Sequence, residues 1–284
     1  MKVFYRPEQV ATSHQPSPSA LKPRLVVADW LADPHINAEI YSFEPASTKT
    51  LYLAHDPAFV RGIFSGRREN GFGNTNTDVA LSLPFTNGSM VAAAEHAVLH
   101  GEVVCSPTAG FHHAEYATAM GYCTFNGLMV AALALQQAGL VNRVAIIDCD
   151  AHYGNGTDHI IEKLGIDWIH HHTLGKHFYY EEHAANGRFE AWLQKAIANC
   201  LDCDLVLYQA GADPHVDDPL GGILTSAQMS WRDRTIFEQL GHLPLVWNLA
   251  GGYQVVPGDT EAQKREPILA LHRETARLHT AIFG

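Results

Sequence analysis

The sequence predicts an α/β protein built on a central parallel sheet. Three observations carry this. Short, nearly continuous apolar runs recur along the chain: Arg143-Val-Ala-Ile-Ile-Asp148, Asp204-Leu-Val-Leu-Tyr-Gln-Ala210 and Leu243-Pro-Leu-Val-Trp-Asn-Leu249. Strands apolar on both faces belong to sheets covered on both sides, the habit of parallel sheets. These runs alternate with longer helical patterns, and each is followed by glycine and polar residues, where open α/β sheets form their sites.

The elements follow in order. A helix is expected from Leu25 to Leu31, just after Pro23, where proline is tolerated in a first turn. Met90 to Leu99 reads as a helix whose alanines allow close packing. Gly127 to Ala138 reads as a mostly apolar helix, buried on several sides. No internal repeat stands out, and the Pro/Ser-rich stretch His14 to Pro23 lies too near the N-terminus to be a domain linker. One domain over residues 1–284 is therefore expected.

Composition narrows the function. Of 284 residues, 46% are hydrophobic and 17% charged, enough apolar material for a core and unlike a disordered or fibrous chain. The formal net charge of -11 argues against nucleic acid and leaves room for a cationic substrate. The longest apolar run, Leu128 to Leu135, is too short to span a bilayer, and the first residues lack the apolar core of a secretory signal. Five cysteines make no disulfide framework, and Cys200–Cys203 has no second pair. A reducing, cytoplasmic setting is expected.

Histidine is in excess, at 18, and the chemistry-bearing residues gather after the strands. In Asp148-Cys-Asp150-Ala-His152-Tyr-Gly-Asn-Gly156 an extended backbone projects Asp148, Asp150 and His152 to one side. Asp213 follows the second run, in Gly211-Ala-Asp213-Pro-His215-Val-Asp-Asp218. One histidine and two carboxylates match zinc and leave a coordination position open, as catalytic sites do. The pair His112-His113 supplies groups suited to proton transfer, and Tyr253, in Ala250-Gly-Gly-Tyr253, an O–H for a developing oxyanion. Singly, each cluster also reads as a turn, a surface pair or an aromatic lid.

Together and in order, the segments GFHHAEYATAMGYCTFNG (110–127), VAIIDCDAHYGNGTDHI (144–160), LVLYQAGADPHVDDPLGGILT (205–225) and LAGGY (249–253) resemble the histone deacetylase family, including bacterial deacetylase-like amidohydrolases and acetylpolyamine amidohydrolases. The resemblance implies the three-layer arginase/deacetylase α/β fold and a zinc-dependent deacetylase acting on acyl-lysine, an acylpolyamine or another acylated amine. It implies one zinc on Asp150, His152 and Asp213, with a potassium ion near Asp148 to His152. It implies His113 as general base and acid, His112 as its electrostatic partner oriented by Asp148, Asn155 orienting His113, and Tyr253 polarising the carbonyl. Gly121 and Tyr122 would line the acyl tunnel, and Arg24 would approach an internal acetate pocket.

The chain departs from the family after His170-His171-His172, where FYYEEHAANGRFEAWLQ replaces a Gly-rich stretch. The three histidines read as a polar loop near the rim, with Leu174, Phe178 and Tyr179 as tunnel-wall candidates; the loop Glu69 to Asn74 is expected at the mouth. A binuclear arginase-type hydrolase is disfavoured because Gly154 and His215 stand where a second metal needs acids. An inactive binding module is disfavoured because every expected catalytic position is filled. The oligomeric state is left open.

Overall fold

The computed structural model describes residues 1–13 and 17–284. Its strands are β1 (Lys2–Phe4), β2 (Glu39–Tyr41), β3 (Val103–Cys105), β4 (Val144–Asp148), β5 (Ile169–Thr173), β6 (Leu205–Gln209) and β7 (Leu245–Asn248). They form one sheet in the order β2-β1-β3-β7-β6-β4-β5, every pair parallel. The helices are α1 (Lys22–Ala32), α2 (Thr48–Leu51), α3 (Pro57–Phe64), α4 (Thr77–His100), α5 (Gly127–Gln137), α6 (Asn155–Leu164), α7 (Glu181–Ala184), α8 (Arg188–Ala198), α9 (Ser226–Leu240), α10 (Glu261–Lys264) and α11 (Glu266–Phe283).

Alternation along each strand divides the interior into two cores. Ala145 and Ile147 of β4, Val206 and Tyr208 of β6, and Trp247 of β7 pack with residues of α1, α8, α9 and α11. Val144 and Ile146, Leu205 and Leu207, and Val246 point the other way, toward α3, α4, α5 and α6. Both faces of the sheet are therefore covered, and the apolar runs are apolar because neither face meets water. Among the described residues no helix is long and apolar enough to cross a membrane.

Two expectations need correction. The helix read from Met90 begins at Thr77 and runs through Pro84. Pro84 removes a backbone donor. Around it the Ser82 hydroxyl, the Thr86 hydroxyl and the Asn87 amide donate to the carbonyls of Val79, Leu83 and Leu83. The three histidines expected in a rim loop instead form the middle of β5, an edge strand paired with β4 alone. Extended backbone sends the His171 side chain to one face and those of His170 and His172 to the other.

Candidate metal and catalytic site

Four segments leave the C-terminal edge of the sheet and meet. Asp150 and His152 follow β4, Asp213 follows β6, Gly251 and Tyr253 follow β7, and His112 and His113 follow β3. The ligand atoms of Asp150, His152 and Asp213 lie within 4.8 Å of one another. His152 Nδ1 stands 3.0 Å from Asp150 Oδ1 and 3.0 Å from Asp213 Oδ2. The two carboxylates are buried, whereas the His152 side chain is 34% exposed, so the cluster opens on one side only. Two buried acids sharing one imidazole hold excess negative charge, which burial penalises unless a cation joins them. Burial, then Asp150, pushes the Asp213 carboxyl above its usual range. The donor set and its spacing fit one zinc ion with an open position.

The backbone is shaped to this cluster. The Gly251 N–H donates to Asp150 Oδ2 at 2.8 Å, and a Cβ at Gly251 would strike the Asp213 carboxylate. Phe111, Tyr122 and Ala250 hold positive φ angles of 85°, 63° and 47°. Such conformations persist where surrounding structure over-determines them, and here they adjoin His112, Gly121 and Gly251.

The two histidines are held differently. His112 Nδ1 lies 2.7 Å from Asp148 Oδ2, and its Nε2 lies 3.6 Å from Asp150. Burial opposes charge on His112, but Asp148 and Asp150 outweigh it and raise its pKa to about 9. Burial, then the neighbouring His112 charge, pushes His113 down to about 4. His113 Nδ1 lies 2.6 Å from Asn155 Oδ1, while Asn155 Nδ2 donates to Glu115 Oε1 at 3.3 Å. The amide oxygen therefore faces His113, Nδ1 carries the ring proton, and Nε2 keeps its lone pair. Tyr253 stands with its ring 6.3 Å from that of His152 and 5.8 Å from that of Tyr122. Burial, then Asp150 and Asp213, raises the Tyr253 hydroxyl, which stays protonated as a donor.

A cavity of about 380 Å³ opens over the cluster, lined by His113, His152, Tyr153, Asn155, Tyr179 and Leu220 among others. Of the tunnel-wall candidates Tyr179 is on this rim, whereas Leu174 and Phe178 are buried in the core. Gly121 packs under His113, and the Tyr122 ring lies tilted 5.5 Å from that of Phe72, in the loop from Glu69 to Asn74. A larger cavity of about 890 Å³ between α9 and α11 reaches the site only at Gly211, Ala212 and Tyr253.

Residues outside the motifs complete the site. Arg24 is exposed; the cation beneath the site is Lys22, fully buried, donating to the carbonyls of Ala250 (2.5 Å) and Gly251 (2.8 Å). Burial pushes its pKa down to about 8. Asp218 accepts from Tyr253 N at 2.7 Å, and Gln209 Nε2 donates to Asp148 Oδ1 at 3.0 Å. With the Asp150 N–H also on Oδ1 and His112 on Oδ2, both Asp148 oxygens are engaged. Lys22 and Gln209 belong to no spacing pattern; a lysine directly before Pro23 and a glutamine ending an apolar strand were the only signals.

Comparison with known proteins agrees with this geometry. The model of the histone deacetylase domain matches residues 21–200. An uncharacterized protein of Picosynechococcus sp. (strain PCC 7002) is 26% identical over 252 residues, covering 81% of this chain and 82% of its own. Histone deacetylase 10, chloroplastic, of Oryza sativa subsp. japonica is 28% identical over 264 residues, but the match spans 76% of this chain and only 59% of that protein. Among solved structures, the HDA15 HD domain superposes with a TM-score of 0.77 at 19% identity, covering 100% of this chain and 91% of that one. Acetylpolyamine aminohydrolase from Burkholderia pseudomallei gives 0.71 at 17% identity, covering 100% and 98%. Asp213 and Tyr253 lie beyond the matched domain and are joined to it by the fold, which is that of the arginase/deacetylase proteins. With more than half of its length matched, the chain belongs to the histone deacetylase family.

Proposed function

We propose that this single catalytic domain is a zinc-dependent amidohydrolase that removes an acetyl or other acyl group from an amine. The observation that carries the reading is a buried Asp150–His152–Asp213 cluster with one open side, next to a histidine whose Nε2 is unprotonated. A zinc ion held by these three residues would supply a Lewis acid that polarises the scissile carbonyl and acidifies water.

The chain's own residues do the rest. An amide has a poor leaving group, so a proton must be removed from the attacking water and another delivered to the departing amine. His113 Nε2 takes the first and returns it to the amine nitrogen, while its Nδ1–H stays on Asn155. His112, kept charged by Asp148, stabilises negative charge growing beside it. The Tyr253 hydroxyl donates to the carbonyl oxygen as it becomes an oxyanion. Lys22 fixes the loop that carries Tyr253 by tying down the carbonyls of Ala250 and Gly251. Gly121 and Tyr122 form the wall against which the acyl chain lies.

The test is acid release by zinc-loaded protein from an acetyl-lysine peptide, N-acetylputrescine, N-acetylspermidine and longer acyl-lysines. Hydrolysis of any of them that is lost on chelation and restored by zinc supports the reading. No hydrolysis of the whole panel after zinc loading refutes it. A preference for the polyamines would make the acidic surface, net charge -11, the selector of a cationic substrate.

A further inference from the structure

Beside Asp148, outside the lining of the cavity, lies His171 of β5. Its side chain is 2% exposed. Its Nδ1 lies 2.7 Å from Asp158 Oδ1 on α6, and its Nε2 lies 3.8 Å from Asp148 Oδ2. Nε2 has no hydrogen-bond partner, and 3.8 Å is an ion-pair distance too long for a hydrogen bond. Neither nitrogen faces a donor. A neutral imidazole carries a proton on one nitrogen only and would turn a bare lone pair toward a carboxylate; the doubly protonated ring turns an N–H toward a carboxylate on each side.

We propose that His171 is a positioning residue: an internal imidazolium bridging Asp158 to Asp148 and, through Asp148, holding His112 in place. This rests on the amidohydrolase reading. The chain thus carries a buried relay, Asp158–His171–Asp148–His112, reaching from α6 across β5 and β4 to the reacting centre. The relay explains why a polar triplet occupies an edge strand: only the middle histidine faces the site.

The surroundings agree. On the α6 side Asp158 also accepts from the Tyr153 hydroxyl at 2.5 Å and from Lys176 Nζ at 3.0 Å, so its carboxylate is fixed and ionised. On the β4 side Asp148 faces His112 and the Gln209 amide. On β5 itself His170 and His172 project to the opposite face. Burial disfavours a charged His171, yet Asp148 and Asp158 raise its pKa above the ordinary histidine value. Three buried carboxylates, of residues 148, 150 and 213, converge at the C-terminal edge of the sheet, and His171 supplies a cation beside the first of them.

The test combines a spectroscopic and a kinetic arm on the full chain. In long-range ¹H–¹⁵N spectra of the wild type, the histidine resonance that disappears in His171→Gln should show both ring nitrogens protonated at neutral pH. With zinc-loaded protein and the best amide of the panel, His171→Gln and Asp158→Asn should each lower kcat about 10- to 100-fold, the usual effect of losing a group behind the reacting residues, with KM within about twofold. The double variant should be no worse than the worse single one, because both cut the same bridge. A singly protonated His171, unchanged kcat in His171→Gln, or losses that multiply in the double variant would each overturn the proposal. Should His171→Gln fail to fold, the Asp158→Asn kinetics and the wild-type spectrum, assigned through His171→Asn, decide. An inactive wild type refutes the amidohydrolase reading instead and leaves the spectroscopic arm standing.

Discussion

Replacing Gly121 by alanine tests the placement of His113 without touching any polar group. Gly121 has φ of 55°, the left-handed region, where a Cβ costs roughly 1–2 kcal/mol. The added Cβ would also lie 2.9 Å from His113 Cγ and 3.2 Å from Nε2, against ordinary contacts of 3.4–4 Å. The ring must retreat by roughly 1 Å, since the displaced neighbour is the imidazole itself. A misplacement of that size costs on the order of 100-fold in rate. We therefore expect Gly121→Ala to lose about 1–2 kcal/mol in urea unfolding, to keep its zinc content, and to fall roughly 100-fold in kcat. Steady-state kinetics, metal analysis and urea titration on one preparation separate the three. A Gly121→Ala protein with wild-type kcat would show that His113 is not the proton-transfer group or does not sit against this wall.

Other outcomes follow from the same geometry. Tyr253→Phe should lose about 100- to 1000-fold in kcat while still binding zinc; a wild-type rate would remove Tyr253 from the chemistry. Asp213→Asn should lower zinc content below that of the wild type after equal loading, and an unchanged stoichiometry would break the proposed ligand set. His55 is fully buried, donating from Nδ1 to the Glu115 carbonyl and accepting the Asn126 N–H at Nε2, and burial lowers its pKa from 6.5 to about 4. Between those values the unfolded chain binds more protons than the folded one. Stability should therefore fall as pH drops through 6.5 toward 4, by about 3 kcal/mol from this group. The acid limb should be shallower by that order in His55→Gln than in the wild type, and identical limbs would refute the assignment.

The strands carrying the site were readable because both of their faces are buried, so β4, β6 and β7 stand out as apolar runs. β1, β2 and β3 are three residues each, too short to show a period, and the first half of α4, which holds Pro84, lies ahead of the stretch that reads as a helix from Met90. β5 reads as polar because three of its five residues are histidines. The geometry brings together Asp150, His152 and Asp213 and pairs His112 with Asp148 and His113 with Asn155, the groupings the motifs suggested. Lys22 was not readable: its partners lie 228 and 229 positions away, and no local pattern encodes such a contact.

That lysine ties the order of synthesis to the assembly of the site. The carbonyls that receive the Lys22 ammonium belong to residues 250 and 251, made 228 and 229 residues later. Until β7 slots between β3 and β6, the early half of the sheet has no neighbour on that edge, and a buried-to-be cation waits in water. Contacts of such sequence separation form late, after loop closure has been overcome. The pocket formed by Asp150, His152 and Asp213 is therefore completed only once β7 has joined the two halves of the sheet.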